Sequence, residues 1–355
     1  MDAQRNLRFS GKTVQGWGSG IVSVRVGIIG VGVMGADHAR ILAAQVPGAS
    51  LQAVYDADAA RAKAVAEEAG AATVLDDAFA LIRDPSIDAV LVASPDQTHQ
   101  ALALACLEAR KPVLCEKPLA PTPAECLDVV AVEAKLGRAL VQIGYMRRFD
   151  PAYAELKAGL ASGRLGAALM FHCIHRNVSA PSWFDSKMAV GNSAVHEFDI
   201  ARWLLDAELE SIQVFRPTPK TGASPGSPVF LVLESANGQL ITIEVFNDAT
   251  YGYDVRGELV CEKGTVALRA AARTEINLDL TQGTGYPADW RPRFADAYRL
   301  QAQAWVKAIA GGTVAGANAW DGYAAAAVAE AGLRSLAEGH RIAIELAARP
   351  ALFHI

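Results

Sequence analysis

Between Val24 and about Gly144, short runs of apolar and β-branched residues alternate with longer stretches whose apolar positions recur every three or four residues. The runs at 24–29, 51–55, 73–75, 88–93, 112–115 and 139–143 have the length and near-continuous apolar character of strands buried on both faces. The stretches at 36–46, 58–69, 77–82, 97–109 and 122–136 have the length and period of helices. Strand and helix in strict succession predict an α/β, Rossmann-type domain over residues 24–144, a doubly wound parallel sheet with helices on both faces. Ligands of such sheets bind beyond the C-terminal strand ends. The segments after Ile29, Tyr55, Ala93, Cys115 and Ile143 should therefore line one crevice.

After Tyr145 the pattern changes. A helix at 151–163 leads into an alternating strand at 167–177 and a helix at 193–205, and strands are predicted at 212–215, 229–234, 240–246, 253–260, 265–268 and 275–280. Asn237-Gly238 carries a hairpin signal and residues 262–264 read as another turn. Residues 145–355 are thus expected to form an α+β domain with a large, mainly antiparallel sheet. Closing helices at 293–310 and 323–336 are candidates to pack back on the first domain. Residues 1–23 carry Arg5, Arg8 and Lys12 but no apolar core of a secretory signal, and are read as a polar leader outside the fold.

Composition narrows the function classes. A chain of 355 residues suggests two domains, and 52% hydrophobic with 20% charged residues is ordinary globular composition. A net charge of -5 offers no basic field for nucleic acid, and no run of about 18 apolar residues marks a membrane span. Five cysteines without a C-x-x-C pair point to a reduced, cytoplasmic setting. His172 and His175 lie three apart on a strand and face opposite sides, which argues against a metal site. His38 is read as structural.

Candidate chemistry begins at Gly30-Val31-Gly32-Val33-Met34-Gly35, a G-x-G-x-x-G that follows the first strand and opens the first helix. Gly30 suits a tight turn, Gly32 a close approach of backbone to a pyrophosphate, and Gly35 close packing of helix on strand. The N-terminus of the helix, from Val33 and Met34 on, then faces the phosphates. Asp56 ends the second strand, where a carboxylate accepts both ribose hydroxyls and repels a 2′-phosphate, so NAD is favoured over NADP. A cap on the next helix is the plainer role for Asp56. Ser94-Pro95 and His99 follow a strand end, where they reach the cofactor or simply cap a helix. Glu116-Lys117-Pro118 follows another strand end and puts an amine beside the expected nicotinamide, although Lys-Pro is also common in solvated turns.

These stretches, with residues 144–150 (G-Y-M-R-R-F-D) and 192–199 (N-S-A-V-H-E-F-D), resemble the glucose-fructose oxidoreductase / inositol dehydrogenase / MocA (Gfo/Idh/MocA) family, and within it the myo-inositol 2-dehydrogenase branch. The similarity spans residues 24–336, and the E-K-P and M-R-R-[FY]-D motifs at this separation are specific. The resemblance implies that Lys117 is catalytic, that His196 exchanges the substrate hydroxyl proton, that Met146, Arg147, His175, Asn177, Tyr253 and Trp290 lie on the substrate side, and that the chain assembles as a homotetramer through the open face of its second sheet. Taken alone, His196 fits a structural helix residue and Arg147-Arg148 an exposed basic pair. One departure stands out: the inositol branch carries Asp four residues before the histidine, and here the residue is Asn192. On a helix it would share a face with His196 and orient it, or else cap the helix.

The reading is an NAD-dependent dehydrogenase that oxidises a secondary alcohol of a cyclic polyol or sugar, with Lys117 and His196 managing the proton. The absence of a dense cationic cluster favours a neutral, hydroxyl-rich substrate. The alternatives are a non-catalytic NAD-binding redox sensor or co-regulator on the same fold, or an enzyme that uses NAD transiently for epimerisation or glycoside cleavage.

Overall fold

The computed structural model describes residues 23–181, 183–217, 228–268 and 275–354, so the expected leader lies, but for Ser23, outside the described residues. Its first layer is a six-stranded sheet of β1 (Val24–Ile29), β2 (Ala49–Tyr55), β3 (Thr73–Val74), β4 (Ala89–Val92), β5 (Val113–Cys115) and β6 (Val141–Ile143). The order is β3-β2-β1-β4-β5-β6 and every pairing is parallel. The connecting helices are α1 (Val33–Gln45), α2 (Ala59–Ala69), α3 (Ala78–Arg83), α4 (His99–Glu108) and α5 (Pro123–Leu136). Their ends follow local chemistry. Asp58 caps α2 by accepting from the amides of Ala60 and Arg61, so the cap role weighed for Asp56 belongs to its neighbour. Thr122 and Glu125 form a capping box at α5, with Pro123 at the first helical position and Gly137 left-handed at the end.

The second sheet is built from β7 (Ala168–Arg176), β8 (Leu209–Phe215), β9 (Val229–Ser235), β10 (Leu240–Phe246), β11 (Asp254–Cys261), β12 (Gly264–Ala267) and a short edge strand β15 (Ile342–Ala343). The order is β12-β11-β7-β10-β9-β8-β15; β7 and β10 are parallel and the other pairs antiparallel. One face is covered by α6 (Pro151–Ala161), α8 (Val195–Leu205) and α10 (Ala319–Glu338). The strand expected at 275–280 breaks into β13 (Ile276–Leu278) and β14 (Thr281–Gly283), which pair only with each other; Asp279 and Leu280 take positive φ and make the turn between them.

The last long helices begin earlier than the apolar period indicates, because their caps lie upstream. Asp289 caps α9 (Trp290–Gly311), and Asn318 forms a capping box with Asp321 at α10. α9 returns to the first sheet: Ala302, Trp305 and Val306 are buried with Val26, Ile28 and Leu42. At the start of α10 the amide of Ile143 bonds the Ala317 carbonyl at 2.9 Å, which ties β6 to the helices that cover the second sheet. Among the described residues, no helix is long and apolar enough to cross a membrane, and no group of three His, Cys, Asp or Glu side chains is placed to hold a metal.

Candidate active site

The glycine loop does what its spacing requires. Gly30 has φ +84°, and a Cβ there would meet the Ser94 backbone at 2.6 Å; a Cβ on Gly35 would lie 1.8 Å from the Gly30 carbonyl oxygen. A Cβ on Gly32 would meet nothing, since that residue faces an open cleft of about 730 Å³. Gly32 also precedes α1 without supplying a side-chain cap, which leaves the first amides of the helix for an anion. The cleft is lined by Gly30, Gly32, Asp56, Arg61, Ser94 and Pro95 among others. Asp56 accepts from the Val31 amide at 2.8 Å, the Asp58 amide at 2.8 Å and Arg61 Nη2 at 2.9 Å. Burial opposes its ionisation, but these partners outweigh it and hold the carboxyl below its ordinary range.

At the far end of the same sheet edge stands Glu116-Lys117-Pro118, with a cis peptide before the proline. Lys117 Nζ reaches Asn192, 3.2 Å from Oδ1 and 3.4 Å from the carbonyl oxygen. Burial pushes its ammonium below the usual lysine range, and the Glu116 carboxylate is the leading charge that opposes this. Asn192 lies in a single π turn (Ala189–Ser193) that follows the one-turn helix α7 (Ser186–Met188) and leads into α8. There the Ala194 amide bonds back five residues to the Ala189 carbonyl at 3.0 Å. His196 sits in the first turn of α8, edge-on to Tyr145 with ring centroids 6.0 Å apart and 6.4 Å from the ring of His175. Burial first, then the charges of Arg147, Lys117 and His175, push its imidazole well below the ordinary histidine range, so the ring is neutral. Its Nδ1 is buried with no partner among the described residues.

Next to Lys117 and His196 the two polar motifs interlock. Arg147 pairs with Glu197, and Arg148 makes a two-point contact with Asp199 at 3.0 and 2.6 Å. Asp150 caps α6 and holds Arg293 of α9 at 2.6 Å. His175 Nδ1 lies 3.1 Å from Glu197 Oε2 and 3.3 Å from Arg147 Nη2. Burial opposes the Glu197 charge, yet Arg147 and His175 hold its carboxyl down at about 2. The M-R-R-F-D turn and the H-E-x-D helix thus fasten to each other through buried ion pairs, Arg147 with Glu197 and Arg148 with Asp199.

A family model described as "Oxidoreductase family, NAD-binding Rossmann fold" matches residues 24–145, and one described as "GFO/IDH/MocA C-terminal domain" matches 153–267. Inositol 2-dehydrogenase 1 of Saccharopolyspora erythraea is 52% identical over 94% of this chain and 99% of that protein. The chain belongs to the Gfo/Idh/MocA oxidoreductase family. It is an NAD-dependent oxidoreductase whose first sheet is an NAD-binding Rossmann domain. Inositol 2-dehydrogenase of Mycolicibacterium smegmatis is similar at 42% identity over 93% of this chain and 98% of that protein. Among solved structures, myo-inositol dehydrogenase from Lactobacillus casei in complex with NAD(H) and myo-inositol superposes with a TM-score of 0.89 at 33% identity, covering 94% of this chain and 100% of that one.

Within this Gfo/Idh/MocA member the residues expected from sequence fall into two groups. Lys117, Asn192, His196, His175 and Tyr253 form one chain of neighbours: Lys117 bonds Asn192, the His196 ring stands 6.4 Å from that of His175, and the Tyr253 ring stands 6.2 Å from that of His175. Trp290 opens α9 one turn before Phe294, whose ring meets Tyr253 edge-on at 6.3 Å. The exposed basic pair is corrected: Arg147 is 1% exposed and paired with Glu197, and Met146 is buried beside it. His99 is held on both sides of its ring. Both its ring nitrogens are engaged, with the Pro118 carbonyl at 2.6 Å and the Ser94 carbonyl at 2.8 Å, so it braces the cofactor loop from behind and does not line the cleft. Asn177 is tied to Asn247 at 2.5 Å. Asn192 neither caps α8, which has no side-chain cap, nor bonds His196; the π turn rotates it toward Lys117. Arg61, Glu197 and Asn247 went unnoticed in the sequence. The Arg five residues after Asp56 was a usable signal for the first, whereas the other two emerge only once helix and strand are brought together.

Proposed function

We propose that this protein is an NAD-dependent dehydrogenase of a cyclic polyol, inositol-like in shape and hydroxyl content, that oxidises a secondary alcohol to the ketone. The observation that supports the reading is the contact of the Lys117 amine, which follows a C-terminal strand end of the NAD-binding sheet, with Asn192, four residues before His196, both the amine and the imidazole being pushed toward their neutral forms by burial. The names of the similar proteins, inositol 2-dehydrogenases at 52% and 42% identity, support the substrate class.

The residues fit the dinucleotide: Gly32 leaves room for backbone approach, the first amides of α1 would hold the pyrophosphate, and Asp56 would hold the ribose. When bound, the nicotinamide supplies the hydride acceptor. Lys117 holds the substrate hydroxyl and accepts its proton, and the downward push of burial on its ammonium makes the free amine more available for this. Neutral His196 shares that proton through an unpaired ring nitrogen, and Asn192 orients the amine. Asn177, Tyr253, His175 and Trp290 shape the walls, and the polyol's other hydroxyls fix the ring by hydrogen bonds to them. Five unpaired, buried cysteines suit a cytoplasmic enzyme.

The test is a panel of inositols and monosaccharides with each dinucleotide, followed by absorbance of the reduced nicotinamide. Inositols with NAD should be the best substrates. Lys117→Ala should lose roughly 10²–10⁴-fold in kcat while still binding NAD. Turnover by that variant near the wild-type rate would remove Lys117 from the mechanism.

A further inference from the structure

One buried acid–base pair has no part in the chemistry above. His38 stands on α1, three residues past Gly35, and is 1% exposed. Its Nε2 lies 2.7 Å from Glu116 Oε1, and its ring stands edge-on to Tyr298 of α9, centroids 5.8 Å apart at 81°. Glu116 in turn receives the Lys117 backbone amide on Oε2 at 3.2 Å. Gly144, at the end of β6, closes the third side: a Cβ there would sit 2.7 Å from Glu116 Oε2. The carboxylate is therefore held from α1, from its own turn and from β6, with its charge directed at the lysine beside it.

We propose that His38 is a positioning residue for Lys117: by donating to Glu116 it keeps that carboxylate ionised and oriented, and so sets the pH at which the lysine gives up its proton. The inference rests on Lys117 as the proton acceptor. The groups that bear on the pair are few. Glu116 and Tyr298 face His38 directly, while Asp37, Arg40 and Arg291 line a separate cavity of about 200 Å³ on its far side. Around Lys117 the charges are Glu116, Asp96, Arg147 and Glu197.

The physical chain runs in one direction. Burial alone favours the neutral form of Glu116, and the bond from His38 is the first of the contacts that oppose it. Without that donor the carboxyl takes up a proton more readily, its charge at Lys117 fades, and the ammonium is left with burial as the dominant influence. Lys117 then deprotonates at lower pH. A role in packing alone makes the opposite demand, because what α9 touches is the ring and not the N–H.

Two substitutions separate these roles. His38→Phe keeps a ring against Tyr298 and removes the donor; His38→Gln keeps an N–H donor and removes the ring. The first readout is taken on cofactor-free protein, as the rate of reductive methylation of Lys117 against pH by mass spectrometry. It reports the amine whether or not the protein turns over a polyol. The second is the acid limb of kcat/KM against pH with NAD and the best inositol. For His38→Phe both curves should move to lower pH by about 1 unit or more, and for His38→Gln both should stay with the wild type. Wild-type curves for the Phe variant, or a displaced curve for the Gln variant, would overturn the proposal. If His38→Gln does not fold, the Phe variant decides the matter alone; if His38→Phe does not fold, His38→Leu, which also removes the donor, takes its place with the same expected displacement. Failure of turnover with methylation curves that behave as expected would count against the dehydrogenase reading and leave the role of His38 intact.

Discussion

At the scale of single residues the most informative position is Asn192. A carboxylate there would stand about where Oδ1 now lies, 3.2 Å from Lys117 Nζ, and within the field of His196. An amide gives the amine a hydrogen-bond acceptor without a counter-charge, which leaves burial to dominate its proton affinity. Asn192→Asp should therefore raise the Lys117 proton affinity and move the acid limb of kcat/KM to higher pH, by roughly 1–3 units. The sign is opposite to that expected when the His38 donor is lost. A pH–rate profile of the variant checks it, and an unmoved limb would mean that the two side chains do not interact in the working enzyme. The sequence made Asn192 conspicuous through the motif around it, but not its partner. Helical spacing points it at His196, and only the π turn, invisible to a 3.6-residue period, swings it to the lysine.

Elements were most legible where local chemistry and burial agree. The glycine loop, the succession of parallel strands and the helix over 122–136 all declare themselves, because each follows from residues within one turn, one strand or one helix. The hairpin of β13 and β14 did not, since a run of apolar alternation says nothing of the positive φ at Asp279 and Leu280 that breaks it. Nor did the junction of α5 with β6. Glu133 is fully buried there; its Oε1 accepts from the amides of Leu140 and Val141, the latter at 2.6 Å, and Oε2 has no partner among the described residues. Burial pushes this carboxyl up to about 7, against the two amides that favour its charge. A folded-state pKa above the ordinary glutamate value means that the contribution to stability is complete below about 4.5 and is lost as pH rises through 7. The difference is worth about 3 kcal/mol. Glu133→Gln keeps the acceptor and cannot ionise, so its stability relative to the wild type should rise between pH 5 and pH 8. Urea unfolding at both pH values measures it, and a constant difference would refute the assignment.

For the whole molecule the second sheet carries the remaining question, because among the described residues only one of its faces is covered. Inward side chains such as Ile212, Leu231, Ile243 and Phe171 are fully buried, whereas along the outer face Phe215, Phe230 and Leu240 remain 46%, 42% and 42% exposed. Phe215 and Phe230 are direct cross-strand partners on β8 and β9, and Val232 and Met170 continue the same face on β9 and β7. These apolar residues, set among Glu234, Thr242, Glu244, His172 and Arg176 on the same face, cost free energy in water, roughly 25 cal/mol per Å² of apolar surface left exposed, and the economical remedy is a second copy of the same face related by a two-fold axis. Two such axes make a tetramer, the assembly the family resemblance implies. The purified protein should sediment as four chains. Phe230→Glu places a charge between Phe215 and Glu244 on that face, where desolvation would cost several kcal/mol if it were buried between copies. It should release dimers or monomers with the circular dichroism of the wild type, since the same glutamate is tolerated in water. A wild-type chain that sediments as a monomer at micromolar concentration would show that this face meets solvent in the native protein, and its aromatic residues would then need a different explanation.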